Sequence, residues 1–264
     1  MHPILFTLPN GFSIHSYGVL TACAYLVAVW GIRRSARQRG LDPELAYDMA
    51  LISVFAALAG SRLEYVRVNW DRFAGDPMAI FAVRDGGLVF YGGLIGVVVG
   101  LGIWIKIKGH KTSVMADLVA PWIPLGHAFG RLGCLMAGCC HGAPTDLPWG
   151  ITYTSPDTMA PHDIAVHPSQ VYAILYNVGL AGFLIWMQGR KRFDGQLALI
   201  YLSIYPVLRS LNELTRGDGE RGYFLEDVLG QVLTNAQMIS LVIAIIAASL
   251  WALFLSSAPK KKKG

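Results

Sequence analysis

The chain has 264 residues, of which 54% are hydrophobic and only 15% charged, and its mean hydropathy is +0.46. This composition excludes an ordinary soluble domain and predicts a polytopic membrane protein. The formal net charge of +5 comes largely from basic clusters that suit an anionic membrane surface. We therefore expect no nucleic-acid partner.

Apolar stretches recur along the whole chain, and a hydrocarbon core takes about 20 such residues per helix. We count seven of them, covering residues 14–32, 45–66, 88–107, 114–130, 169–187, 196–212 and 235–255. The first has no basic segment before it, so it does not resemble a cleaved signal peptide. The predicted fold is an all-α membrane protein, a single domain over 1–264 with seven transmembrane helices.

The basic residues give this bundle an orientation. If the spans alternate, fourteen of the 22 Lys and Arg residues fall on one side: Arg33, Arg34, Arg37, Arg39, Lys106, Lys108, Lys111, Arg190, Lys191, Arg192 and Lys260 to Lys263. The positive-inside rule makes that side cytoplasmic. We expect the N-terminus outside, a basic cytoplasmic tail over 256–264, and a polar, Pro-rich outer cap over 143–168 with a short strand near 149–154.

Three arginines, Arg62, Arg131 and Arg209, lie within or at the ends of predicted spans. A charge at that depth is costly in lipid and by default marks a functional site, although Arg131 could instead snorkel to a headgroup. Guanidinium binds phosphate in a bidentate manner and tolerates partial desolvation. A phospholipid phosphate is therefore the natural ligand for these side chains.

Carboxylates accompany the arginines at short helical spacings. Arg209 and Glu213 share one helix face, which predicts either a simple ion pair or, with Arg216, a phosphate clamp that Glu213 orients. Arg62 could likewise pair with Glu64 or Asp48. The sequence leaves these alternatives open.

Glycines and prolines mark two further segments. Residues 86–96 contain five glycines around Tyr91, which predicts either close helix packing or a backbone surface for a lipid glycerol. Pro121 and Pro124 predict a kink or break in the fourth span.

Cys134, Cys139 and Cys140 fall on the outer side, next to His141. Their spacing matches no established zinc pattern, so we expect structural thiols or a disulfide under the loop after Arg131. We expect no metal and no cofactor.

These motifs together resemble the prolipoprotein diacylglyceryl transferase family of bacterial inner membranes. The resemblance spans nearly the whole chain and is carried by Tyr17–Gly18, Gly60–Ser61–Arg62, Asp76–Pro77, the Tyr91–Gly92–Gly93–Leu94 segment, Asp117, Gly130–Arg131–Leu132–Gly133, His167–Pro168–Ser169–Gln170, and Arg209 with Glu213, Arg216 and Asp218.

The resemblance implies a reaction and a set of roles. The diacylglyceryl group of phosphatidylglycerol would pass to the lipobox cysteine in the signal peptide of a preprolipoprotein, with glycerol phosphate released, in the bacterial inner membrane. The implied catalytic residues are Arg131, Arg209, Tyr91 and Glu213. The implied substrate-binding residues are Tyr17, Arg62, Gly92, Gly93, Asp117, Gly133, Cys134, Cys139, Gly142, His167, Ser169, Gln170 and Arg216.

The chain also departs from better-known members of that family. Tyr91 stands where they have His, Cys134 where they have Asn, and Cys139 where they have an acidic residue. Tyrosine is a poorer base than histidine near neutral pH. The thiol proton therefore passes to Tyr91, Glu213 or His141, or the reaction requires no dedicated base. The departures leave open a related transferase with another acceptor and a membrane thiol oxidoreductase.

Overall fold

The computed structural model describes residues 2–9, 11–75, 77–81, 86–218, 222–224 and 232–257. Several residues considered above lie outside this range. They are Asp76 of the Asp–Pro motif and the lysines of the basic tail from Lys260 to Lys263.

Nine helices run through the described residues. They are α1 (Ser16–Gln38), α2 (Leu45–Val68), α3 (Trp70–Phe73), α4 (Phe90–Ile107), α5 (Thr112–Val119), α6 (Trp122–Ala137), α7 (Ser169–Met187), α8 (Gln196–Glu213) and α9 (Asn235–Ser257). A single 3-10 segment, Pro77–Phe81, follows α3. The all-helical prediction is confirmed, apart from two small hairpins.

Five of these helices, α1, α2, α4, α7 and α9, are long and apolar enough to cross a membrane. These helices carry exposed apolar side chains, for example Leu26 (70% exposed), Phe55 (68%) and Val98 (65%). Such surfaces suit lipid rather than water. The protein is thus a helical membrane protein.

The predicted fourth span is broken, as its prolines indicated. It consists of α5 and α6, with Pro121 at the N-cap of α6. Proline lacks a backbone donor and clashes with the preceding turn, so it stands at a helix start more readily than inside one. The second helix of this pair ends at Ala137, and Cys134 therefore belongs to its last turn.

The two hairpins lie in segments predicted to face outward. Strands β1 (Ile4–Thr7) and β2 (Ser13–His15) pair antiparallel, and we did not predict them. Strands β3 (Ile151–Thr152) and β4 (Ala165–Val166) pair in the cap segment, which confirms the expected short strand. Buried Tyr153, Ala160 and Val166 form a small core under this second hairpin.

The chain divides into two compact units, residues 29–118 and residues 1–28 with 119–264. In the first unit, α2 and α4 pack along their length through glycines. A Cβ at Gly60 would stand 2.3 Å from the carbonyl oxygen of Gly92, and one at Gly96 would stand 2.2 Å from that of Ala56. Only glycine permits backbones this close.

In the second unit, α7 packs against both α6 and α8, and α8 also packs against α9. Its apolar centre contains Leu180 and Leu184 of α7 with Leu197 and Tyr201 of α8, all buried. This packing places the C-terminal ends of α6 and α8 next to the start of α7.

Candidate functional site

The C-terminal end of α8 carries a buried cluster of charges. Arg209 donates to Glu213 one turn further on, and the Nη1 atom of Arg216 lies 3.8 Å from the same Glu213 oxygen. Arg216 also donates to both carboxylate oxygens of Asp218. The Glu213 side chain is only 1% exposed, against 12% for Arg209 and 9% for Arg216. The ion pair expected between Arg209 and Glu213 is therefore present, and it belongs to a larger network.

Arg216 lies beyond the end of α8. Burial disfavours its charge, but its hydrogen bonds to Asp218 and the neighbouring carboxylate of Glu213 raise its pKa above the ordinary value. A guanidinium held in this way keeps its charge at every accessible pH.

A third arginine, Arg131, approaches from α6. The charges of Arg131 and Arg209 both act on the ring of His127. That ring lies 5.0 Å from the ring of Tyr205, measured between centroids. The structure therefore brings the guanidiniums of α6 and α8 to the same pair of rings.

Sequence reasoning did not assign a role to this ring pair. His127 is four residues before Arg131, and Tyr205 is four residues before Arg209. Residues at that spacing share a helix face. The signal was therefore present, but the sequence did not show that the two faces meet.

The three outer cysteines converge just after Arg131. Their sulfur atoms all lie within 4.8 Å of one another, and all four cysteines of the chain are free thiols. Gly138 ends α6 with φ 76°, and Cys140 follows with φ 58°. These two left-handed residues reverse the chain and return Cys139 and Cys140 to Cys134. Hydrogen bonds with the other two thiols, and the charges of Arg131 and Arg216, lower the pKa of Cys140.

The loop between Cys140 and α7 is fixed by its own backbone. Gly142 donates to the carbonyl of His167 (3.0 Å), and His167 donates to that of Ala143 (2.9 Å). The backbone of Gly142 also forms an isolated antiparallel β-bridge with that of Arg216. A Cβ at Gly142 would stand 2.3 Å from the Cβ of His167, so this position requires glycine.

Two buried polar residues at the start of α7, Ser169 and Gln170, bind the segments that follow α6 and α8. The Ser169 hydroxyl, at the first residue of α7, lies 2.8 Å from that of Thr215. Gln170 donates to the carbonyl of Cys139 (2.8 Å) and to the hydroxyl of Tyr153 (3.0 Å). Burial raises the pKa of Tyr153 to about 12, so its hydroxyl stays neutral. Through Ser169 and Gln170, the start of α7 therefore binds both the segment after α8, at Thr215, and the segment after α6, at Cys139.

Tyr17 joins the same unit from the start of α1. A Cβ at Gly133 would stand 2.8 Å from the Cδ2 atom of Tyr17, which explains the glycine. Tyr17 is 48% exposed and lies near the guanidinium of Arg131 and the thiol of Cys134. The predicted residues Tyr17, Gly133 and Cys134 are thus neighbours.

The remaining predicted residues belong to the unit formed by residues 29–118. Arg62 is buried and donates to the carbonyls of Ala79 (2.7 Å), Ile80 (2.7 Å), Gly86 (2.9 Å) and Gly87 (3.2 Å). The suggested partners of Arg62 pair elsewhere, Glu64 with Arg67 and Asp48 with Lys108. Arg62 therefore organises the loop before α4.

Tyr91, Gly92 and Gly93 lie in the first turn of α4. A Cβ at Gly92 would stand 2.4 Å from the Cβ of Glu64, and one at Gly93 would stand 2.4 Å from the Oγ of Ser61. Close packing against α2 accounts for both glycines. Tyr91 is 45% exposed, whereas Asp117 in α5 is fully buried.

Comparison with known proteins agrees with the motifs. The family model described as prolipoprotein diacylglyceryl transferase matches residues 3–253. A Clostridium tetani protein named phosphatidylglycerol–prolipoprotein diacylglyceryl transferase is 34% identical, over 93% of this chain and 95% of its own. Proteins with the same name from Clostridioides difficile (33% identical, 92% and 91% covered) and Thermosynechococcus vestitus (32%, 94% and 91%) are also similar.

Proposed function

We propose, since this chain belongs to the prolipoprotein diacylglyceryl transferase family, that it carries out the reaction named for its relatives. It would transfer the diacylglyceryl group of phosphatidylglycerol to the lipobox cysteine of a preprolipoprotein. A thioether forms at the cysteine sulfur, and glycerol phosphate leaves with the electron pair of the broken carbon–oxygen bond.

The observation that carries this proposal is the convergence of Arg131 and Arg209 on one ring pair, with Arg216 bound to the same Glu213 as Arg209. A departing phosphate ester gains negative charge, and fixed guanidiniums lower the barrier by stabilising it. Because protein packing already orients them, they need little rearrangement when the charge develops.

Glu213 serves in this proposal as the group that positions the arginines. Its side chain is 1% exposed and lies against both Arg209 and Arg216. A carboxylate placed between two guanidiniums fixes their orientation through charge-assisted contacts. For the proton of the acceptor thiol, Tyr91 is the candidate acceptor, because it occupies the place where the family resemblance puts a histidine.

The binding roles follow the contacts described above. Tyr17, Gly133, Cys134 and Cys139 would line the lipid and thiol site beside Arg131. Gly142, His167, Ser169 and Gln170 would act indirectly, by fixing the loops that carry Cys139 and Arg216. Arg62, Gly92, Gly93 and Asp117 would shape the part of the enzyme around α2, α4 and α5.

We place the protein in the bacterial inner membrane with seven spans in one transferase domain. The two spans beyond the five apolar helices are α5 with α6, and α8. Both contain proline and arginine, which the proposed site explains. Basic clusters lie at the C-terminal ends of α1 and α4 and just after α7, and by the positive-inside rule we place those ends in the cytoplasm. The N-terminus and the 143–168 cap then lie outside, where lipoprotein precursors present their cysteine.

The test incubates the purified protein in phosphatidylglycerol-containing membranes with a lipobox peptide, and the peptide is read by mass spectrometry. We expect a diacylglyceryl mass increment on the cysteine and none on a Cys→Ser peptide. Consumption of phosphatidylglycerol without a modified peptide would indicate a different acceptor. Absence of both would refute the proposal, provided that the protein retains its helical circular dichroism.

A further inference from the structure

The cysteine cluster of this chain, Cys134, Cys139 and Cys140, has a geometry that the proposed transfer reaction does not require. One sulfur atom comes from the last turn of α6 and two from the loop that follows it, and all three lie within 4.8 Å of one another. Cys134 is buried at the end of α6, while Cys139 and Cys140 are half-buried beyond it. A small ion could reach the cluster past the two outer thiols.

The sulfur separation fits a bound metal ion. A zinc–sulfur bond is about 2.3 Å long, which places thiolates about 3.8 Å apart around a tetrahedral ion and about 4.0 Å apart around a trigonal one. The cluster already holds its three sulfurs within 4.8 Å, so it needs to contract by less than about 1 Å. Rotation about the Cα–Cβ bonds is enough for that movement.

The backbone around the cluster is fixed before any ion binds. A Cβ at Gly138 would stand 2.8 Å from the Cβ of Thr158, so the left-handed reversal that returns the chain is packed against the cap. Gln170 holds the carbonyl of Cys139 at 2.8 Å. A site arranged in this way loses little conformational entropy on binding.

The charges nearby match the complex rather than the free ion. Three thiolates around a divalent ion carry a net charge of −1, and around a monovalent ion −2. Arg131 is three residues before Cys134 on α6, and Gly142, two residues after Cys140, forms a β-bridge with Arg216. The two guanidiniums would balance the anionic complex, and arginine is well suited to such partly desolvated pairing.

We propose that Cys134, Cys139 and Cys140 form a three-thiolate site for a thiophilic d10 cation, Zn²⁺ or Cu⁺. On binding, three sulfur–metal bonds form and up to three thiol protons go to solvent, with no change in oxidation state. The sequence spacing alone argued against a metal; the chain reversal at Gly138 and Cys140 brings together what the spacing did not.

The experiment uses the full-length protein in detergent, fully reduced and then freed of reductant under anaerobic conditions. Cd²⁺ is added as a spectroscopic probe, and the ultraviolet charge-transfer band from thiolate to metal is followed. Zn²⁺ and Cu⁺ are then added in separate competition arms. We expect saturation at one Cd²⁺ per chain with the intensity of three thiolates, and displacement by at least one of the two ions.

Matched variants identify the ligands. Cys140→Ser and Cys139→Ser should lower the band by about a third and weaken binding at least tenfold, roughly the loss seen when support for a metal ligand is removed. Cys23 is a free cysteine of α1 outside the cluster, so the Cys23→Ser variant should bind Cd²⁺ as the wild type does. The helical circular dichroism of each variant checks folding.

Three results would overturn the proposal. They are no band from a protein with four titratable thiols, a band that depends on Cys23, and a band unchanged in both Cys139→Ser and Cys140→Ser. None of these readouts depends on lipid transfer, so the metal site and the proposed function stand or fall separately.

Discussion

The rings of His127 and Tyr205 lie 5.0 Å apart, and each is four residues before an arginine of the candidate phosphate site. Side chains four residues apart share a helix face, so this contact sets how far apart α6 and α8 present Arg131 and Arg209. A phosphate bound by both guanidiniums needs that separation to be fixed. A misplacement of about 1 Å can cost roughly 100-fold in rate.

Removing the ring of His127 should therefore slow the transfer reaction. We expect His127→Ala to lower kcat/KM about 10- to 100-fold through loss of positioning. His127→Phe keeps a ring and should retain most of the activity. Initial rates with the lipobox peptide measure both. Equal losses in the two variants would mean that the imidazole nitrogens matter rather than the ring contact.

The arginines themselves should be far less tolerant. Arg131→Ala or Arg209→Ala removes a donor from the developing phosphate charge, and we expect each to lower kcat about 100- to 1,000-fold. Arg190→Ala, whose guanidinium lies over Trp186, is the control and should remain active. Full activity in both Arg131→Ala and Arg209→Ala, with membrane insertion intact, would exclude the phosphate clamp.

Glu213→Gln tests whether this carboxylate positions arginines or accepts a proton. The change leaves the buried guanidiniums of Arg209 and Arg216 without their shared counter-charge, and breaking a buried ion pair typically costs about 3–5 kcal/mol. We expect lower thermal stability together with lower activity. Glu64→Gln removes an exposed pairing with Arg67 and should affect neither property. Lost activity at unchanged stability would instead favour Glu213 as the base.

The sequence was sufficient for most of the helical framework. Apolar length and proline position predicted α7 at its observed ends and the break between α5 and α6. The pairing of Arg209 with Glu213 followed from helical spacing alone. These features depend on residues that are near one another in the chain.

The features that sequence reasoning missed depend on contacts between distant segments or on unusual backbone angles. One alternative paired Arg62 with Glu64 or Asp48, but these carboxylates pair with Arg67 and Lys108, and Arg62 donates to carbonyls 17 to 25 residues further on. The three sulfurs meet because Gly138 and Cys140 are left-handed, which the spacing of the cysteines does not reveal.

The loop that joins Cys140 to α7 should depend on Gly142. Gly142→Ala would place a Cβ 2.4 Å from the carbonyl oxygen of His167, which is backbone and cannot move freely. We expect lower thermal stability and loss of transfer. Gly126→Ala on α6 meets nothing within 4 Å and gains helix propensity, so its stability should be unchanged or higher by up to about 1 kcal/mol. Thermal unfolding in detergent, followed by circular dichroism, compares the two. Similar melting temperatures would show that the loop adapts.

The last prediction concerns Tyr91, where the chain departs from the histidine of better-known relatives. Its side chain is 45% exposed at the start of α4, so substitution should not disturb packing. If the Tyr91 hydroxyl accepts the thiol proton, Tyr91→Phe should lower kcat about 100-fold or more, the usual contribution of a general base. Tyr91→His should retain activity and move the rise of the pH–rate profile towards neutral pH, because imidazole is the better base there. Tyr47→Phe, an exposed tyrosine of α2, controls for loss of a surface hydroxyl. Unchanged activity in Tyr91→Phe would assign the proton to another acceptor.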